Sequence, residues 1–256
     1  MSKKILLIVE GESDEPRFFR RLFKCCYRKA EYKFYPHRTN LHVLAQELVK
    51  NYPDFENDNI DIRLVLASIE SDENRKQVLK ETYSDIYLVF DFEPHEKNSH
   101  FEIIKRMLAF FNDSTLQGKL FINYPMMQSY KHFSNLPDHT FDTKTVSLDE
   151  VGNYKSIVAR ESGFTDIAKY DFRTFYSLAV HHLRKAYFIQ TGKYELPSIE
   201  DYERLDYLNI FDKQIECATL PNGWIWVINT CIFVLLDFSP HRFYQFVSNH
   251  PDDLQI

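Results

Sequence analysis

The stretch Ile5-Leu6-Leu7-Ile8-Val9-Glu10-Gly11-Glu12-Ser13-Asp14-Glu15 decides the fold. Five apolar residues in a row, Ile5 to Val9, suit a strand buried on both faces, and such a run early in a chain predicts a parallel sheet. The acids begin where the apolar run stops. Glu10 falls at the strand's carboxyl end, and Gly11 lets the main chain turn sharply. Ser13 or Asp14 is placed to cap a helix carrying Phe18, Phe19, Leu22 and Phe23. Ligands of open α/β sheets bind just outside the carboxyl ends of the strands, so Glu10 stands where chemistry is usually done.

A second stretch repeats the pattern: Ile86-Tyr87-Leu88-Val89-Phe90-Asp91-Phe92-Glu93-Pro94. Alternation along an extended chain puts Asp91 and Glu93 on one side and Phe92 on the other. Two such strands side by side bring three carboxylates, Glu10, Asp91 and Glu93, to one edge. Crowded like charges repel, and a divalent cation relieves the repulsion. Oxygen-only ligands select Mg2+ or Mn2+ over zinc or copper. Asp14 is a further candidate ligand, although it and Glu15 also suit a helix N-terminus on electrostatic grounds alone.

Val9-Glu10-Gly11 with Asp14-Glu15, followed by a hydrophobic run ending in Asp91-Phe92-Glu93, resembles the Toprim domain of primases, topoisomerases and nucleases of the overcoming-lysogenization-defect type. The resemblance covers roughly Lys3 to Pro125. In that family a glutamate after the first strand and a later Asp-x-Asp pair hold magnesium beside a phosphodiester. This chain has Glu93 where the family more often has aspartate. The resemblance implies a Mg2+-dependent nuclease acting on DNA or RNA, transfer RNA included, with Glu10, Asp91 and Glu93 at the metal. It further implies a small effector of bacterial anti-phage defence with an ATPase partner. The alternatives are a Toprim-like binding or regulatory module whose acids no longer catalyse, and a small-molecule phosphohydrolase.

Alternating strands and helices predict an α/β fold with a mostly parallel sheet flanked by helices. We expect strands at Tyr32 to Tyr35, Ile62 to Ile69, the Asp91 run and Lys119 to Asn123. Helices are expected to about Arg28, over Leu41 to Leu48 and over Phe101 to Phe111, with Thr39 or Asn40 capping the second, and the charged segment Ser71 to Lys80 reads as a short exposed helix or a turn. From Leu148 on, apolar residues recur at helical spacing. We therefore expect a catalytic domain over 1–145 and a mainly α-helical C-terminal region over 146–256 packed on it. Trp224 to Leu236 is strongly apolar but too short to span a bilayer and reads as a buried helix.

The chain is rich in Phe and Tyr, 22 and 16 copies against 6 Gly, and lacks GxGxxG and GxxxxGK[ST], which argues against a Rossmann or P-loop nucleotide cradle. A net charge of −6 gives no global attraction to nucleic acid. Arg17, Arg20, Arg21, Lys24 and Arg28 nonetheless form a basic stripe beside Glu10, suited equally to a phosphate backbone or to a solvated helix face. Cys25, Cys26, Cys217 and Cys231 lack metal-ligand spacing, and no signal peptide is evident. We expect reduced, buried thiols in a cytoplasmic protein without a membrane span. The histidines offer no zinc-like pair, and a homo-oligomer is left open. After the strand at Lys119 to Asn123, Gln128 and Ser129 are candidates for orienting a phosphate or water. Lys131 is a candidate for steadying developing negative charge, with Lys155 and His95 as lesser candidates.

Overall fold

A computed structural model of the chain describes residues 3–96 and 100–250. The chain forms two compact units, one of residues 1–23 and 27–121 and the other of residues 24–26 and 122–256.

The first unit is built on a five-stranded sheet. Its strands are β1 (Lys4–Val9), β2 (Glu31–Pro36), β3 (Asp85–Asp91), β4 (Asn112–Asp113) and β5 (Gly118–Asn123), in the order β2-β1-β3-β5-β4. β1 pairs in parallel with β2 from Lys4↔Glu31 to Val9↔Pro36, and with β3 from Ile5↔Asp85 to Val9↔Val89. β4 and β5 form a short antiparallel hairpin. Ile5 to Val9 are wholly buried, as a central strand covered on both faces requires. Helices α1 (Asp14–Cys26), α2 (Leu41–Asn51), α3 (Ile62–Ile69), α4 (Glu73–Lys80) and α5 (Phe101–Phe110) flank the sheet. α1 buries Phe18, Phe19, Leu22 and Phe23 at helical spacing.

Three expectations need correction. Ile62 to Ile69 is helix, not strand: Asp61 caps it by accepting from Arg63 N at 2.9 Å, and Ile62, Val65 and Leu66 are buried while Leu64 and Ile69 are exposed. That exposure pattern has the 3.6 period, so three helices follow β2 before the chain returns as β3. α1 ends at Cys26, two residues early, and Ser13 occupies its cap position without a side-chain hydrogen bond. The run from Trp224 is buried but not one helix. It starts as strand β7 (Trp224–Trp226), passes a 3-10 turn at Cys231–Phe233 and becomes helical at Val234–Phe238. The break falls at Asn229 and Thr230, whose side chains bond main-chain groups elsewhere, Asn229 Nδ2 to Met127 O at 3.2 Å and Thr230 Oγ1 to Ile122 O at 2.8 Å.

The second unit is mainly helical, as expected. Before β7 it contains β6 (Thr145–Ser147), α6 (Leu148–Val151), α7 (Tyr154–Glu161), α8 (Phe172–Thr191), α9 (Ile199–Glu203) and α10 (Tyr207–Ala218). After β7 come α11 (Val234–Phe238) and α12 (Pro240–Asn249). β6 and β7 form an antiparallel pair that the sequence did not announce. α8 is the central element: Asp171 caps it through Thr174 N at 2.9 Å, and Gly192 ends it in the left-handed conformation at φ 80°. All four cysteines are free thiols. Cys26 and Cys231 are buried, while Cys25 and Cys217 are only partly so. Among the described residues no helix is long and apolar enough to cross a membrane.

Candidate functional site

The parallel ladder runs one step past the end of β1 on both sides. Glu10 N donates to Val89 O at 3.2 Å, while His37 N and Arg38 N donate to Val9 O and Glu10 O at 2.7 and 2.9 Å. Glu10 is thereby fixed between the carboxyl ends of β2 and β3. Its side chain turns toward β3, where Oε2 accepts from Asp91 N at 3.1 Å. Glu10 and Asp91 are both half-buried, and the fold brings them side by side at the edge the sequence pointed to.

Glu93 follows the expected alternation. Phe92 is buried and stacks on Phe101 with ring centres 6.1 Å apart, whereas Asp91 and Glu93 remain half-buried. The Glu93 carboxylate goes to Asn40, whose Nδ2 donates to Oε2 at 2.7 Å. Asp14 is the partly exposed first residue of α1. Its neighbour Glu15 is buried, and a Cβ at Gly11 would lie 3.0 Å from Glu15 Oε2. Gly11 lies outside the left-handed region and the near atom is the end of a side chain that can swing aside, so the turn does not demand a glycine as the sequence suggested, while Glu15 lies nearer the turn than its reading as a helix-terminus acid implied.

Below this edge the end of β2 is held by a tight network. Tyr35 OH donates to Glu70 Oε2 at 2.9 Å, Arg75 Nε donates to the same oxygen at 2.6 Å, and an Arg75 terminal nitrogen donates to Pro36 O at 2.7 Å. Burial alone raises the Glu70 pKa, but the Asp72 N–H, the Arg75 guanidinium and the Tyr35 hydroxyl outweigh it and draw the carboxyl down to about 2. His37 is buried beside this network, and burial with the nearby Arg75 charge lowers its pKa to about 4. Arg38 turns out into solvent in the left-handed conformation at φ 71°, its Nε on Glu12 Oε1 at 2.5 Å. Residues 37–40 thus lie against the Glu10 and Glu93 positions.

The remaining candidates lie on other elements. Lys131 belongs to the second unit, in a 3-10 turn at Met127–Lys131, with its ammonium 5.8 Å from the Tyr130 ring centre. Gln128 and Ser129 are buried there, and Ser129 Oγ donates to Ile228 O at 3.3 Å, so neither opens to a sheet edge. Their burial reflects the 3-10 turn, which folds back into the core. Lys155 is exposed on α7 and His95 is an exposed loop residue. On α1, Arg17, Arg20 and Lys24 are exposed and Arg21 partly so, with Arg20 lying over the Phe34 ring at 5.2 Å. His181 and His182 are both buried on α8 and serve the core. His181 Nε2 accepts from Asp138 N at 3.0 Å, and His182 Nδ1 accepts from Asn229 N at 3.0 Å.

No protein-family model, curated protein or solved structure matches this chain. The chemistry of the site therefore has to be read from its own residues. Among the described residues no three His, Cys, Asp or Glu side chains converge closely enough to hold a metal ion between them. Glu10 and Asp91 supply two carboxylates, with Glu93 withheld on Asn40. That donor set still fits magnesium, which binds through one or two carboxylates, keeps several waters and takes its remaining ligands from substrate phosphates. It does not fit zinc, because no imidazole or thiolate joins it.

Proposed function

We propose that this chain is a Mg2+- or Mn2+-dependent nuclease that hydrolyses phosphodiester bonds of DNA or RNA at the carboxyl edge of β1 and β3. The observation that carries the reading is the Glu10 carboxylate resting on Asp91 N, which sets two acids side by side across adjacent parallel strands where open sheets bind ligands. Glu10 and Asp91 would hold the cation, and Glu93 would be the third acid. A bound divalent cation supplies Lewis-acid polarisation of the phosphate and a bound water of lowered pKa. The chain's own part is orientation. The Asp91 N–H fixes one Glu10 oxygen, so the carboxylate is aimed before any ligand arrives, and the ladder bonds on either side keep its main chain from shifting. An ATPase partner, a role in anti-phage defence and a cytoplasmic location extend the proposal on the Toprim resemblance alone.

A second reading, a Toprim-like binding module without catalysis, is favoured by one observation: Glu93 is tied to Asn40 instead of joining the other two acids. Calorimetric titration of Mg2+ and Mn2+ into wild type and Asp91→Asn separates the two, run beside cleavage assays on single- and double-stranded DNA and on RNA. The nuclease reading expects metal binding and cleavage in wild type, both lost in Asp91→Asn. Absence of metal binding even with nucleic acid present would refute it and leave the binding module.

A further inference from the structure

We propose that the outward face of α1 and the aromatic side of β2 form a track for single-stranded nucleic acid, with Arg17 and Arg20 on phosphates and Tyr32 and the Arg20–Phe34 pair on bases. The inference deepens the nuclease reading above by naming its substrate class, and the strand binding it claims stands apart from the metal.

Between Pro16 and Ala30 the chain has six cations and no acid, although its net charge is −6. The acids of α1, Asp14 and Glu15, are confined to its first turn. Arg17, Arg20 and Arg21 then fall at i, i+3 and i+4, on one face of the helix. Arg17 and Arg20 are exposed, and among the described residues neither guanidinium has an acid partner. A helix face kept only for solubility carries alternating charge, and two other helices of this unit show it: Lys76 meets Glu73 on α4, and Lys105 meets Glu102 on α5.

Beside these arginines β2 supplies aromatic rings. It is the edge strand of the sheet, and its side chains alternate between two faces. Tyr35 and Lys33 go to one face, where Lys33 meets Glu81 and Arg75 meets Glu70, so the cations there are neutralised. Tyr32 and Phe34 go to the other. Tyr32 stacks on Phe23 of α1 with ring centres 4.9 Å apart, and Arg20 lies over Phe34 at 5.2 Å. Their neighbours across the ladder, Ile5 and Leu7, are wholly buried, but Tyr32 and Phe34 at the edge are only half-buried. Phe23 takes one face of Tyr32, so the exposure that remains lies on the rest of the ring.

Arginines for phosphates beside rings for bases are the chemistry of single-strand binding, because every unpaired base offers a π-face. Guanidinium planes stack on bases as well. A duplex hides those faces, so the aromatic half of the track selects unpaired strands. α1 begins at Asp14, four residues past Glu10, so the track starts at the edge that carries the acids.

The test reads the anisotropy of labelled oligo-dT and oligo-U of about 16 nucleotides, and of a duplex of the same length, with the full chain in EDTA from about 50 to 200 mM salt. Wild type is expected to bind the single strands more tightly than the duplex. Arg17→Gln and Arg20→Gln together should weaken binding and flatten the slope of log K against log salt by about 1.4, or about 0.7 per phosphate contact. Tyr32→Leu should weaken binding about tenfold with the slope unchanged, because stacking releases no counterions. Lys33→Gln, on the opposite face, should bind as wild type, and circular dichroism checks that each variant is folded. No single-strand binding by wild type, equal or tighter binding of the duplex, or an unchanged salt slope in the double arginine variant would overturn the track, whether or not the chain cleaves nucleic acid. Strand binding as expected, with neither metal uptake nor cleavage, would instead bring down the nuclease reading and leave the track standing.

Discussion

His37 makes the first unit sensitive to mild acid. Its side chain is 5% exposed, and burial, aided by the Arg75 charge, lowers its pKa from 6.5 to about 4. Between those values the unfolded chain takes up a proton that the folded chain refuses. The stability His37 contributes is therefore complete above about pH 6.5 and is lost as the pH falls toward 4. A difference of about 2.5 pK units at ~1.4 kcal/mol each gives about 3.5 kcal/mol. Glu47 Oε2 lies 3.7 Å from His37 Nε2, and an ion pair formed on protonation would return part of that, so we expect a loss of about 2–3 kcal/mol. Urea unfolding followed by far-UV circular dichroism from about pH 7 to 4.5 measures it. His42, His132, His181 and His182 are lowered in the same sense, chiefly by burial, so the wild-type slope alone does not isolate His37. The difference between wild type and His37→Leu does. His37 Nε2 makes no hydrogen bond, so leucine removes the proton acceptor without orphaning a donor. If the gap between wild type and His37→Leu stays constant across that pH range, the linkage argument is wrong.

Two further predictions concern the second unit. Lys185 is wholly buried on α8, its ammonium on Phe141 O at 2.7 Å and Lys144 O at 2.5 Å and over the Phe141 ring at 4.4 Å. Lys185→Met keeps most of the volume but leaves Phe141 O and Lys144 O with one main-chain donor each, Lys144 N at 3.1 Å and Val227 N at 3.2 Å, so the loss is of two hydrogen bonds at about 1 kcal/mol each; a drop in Tm is expected and an unchanged Tm would refute the role given to these bonds. Gly163→Ala would put a Cβ 2.3 Å from Ser134 O, a backbone atom, and should cost about 1–3 kcal/mol in chemical unfolding. Gly152→Ala meets nothing within 4 Å and serves as the control; equal effects at the two positions would contradict the packing argument.

Much of the first unit could be read from its letters because its signals are local. An apolar run ending in an acid defines both β1 and β3, and Phe92 between Asp91 and Glu93 gives the side-chain alternation that the structure keeps. Ile62 to Ile69 misled because a short apolar run fits a buried strand or a buried helix equally well. The deciding feature was Asp61, whose carboxylate caps Arg63 N and whose position before the run is a helix-start signal. Asn40 was recognisable as a cap, but its second bond spans 53 residues and no spacing rule reaches that far. Gln128 and Ser129 were placed at an open edge because polar residues after a strand usually face water. Here a 3-10 turn folds them inward, a tertiary outcome that side-chain polarity does not encode.

The pairing of β6 with β7 also dictates an order of events. Thr145 pairs across with Trp226, so this ribbon closes only after some 80 intervening residues exist, whereas the pairs that β1 makes with β2 and β3 are complete once Val89 has been made. On a ribosome the two units face different waiting times. The sheet that carries Glu10 and Asp91 can form while synthesis continues, but the second unit must hold its aromatic-rich helices unsealed until its last quarter emerges. Chaperone dependence and sensitivity to C-terminal truncation should therefore concentrate in the second unit.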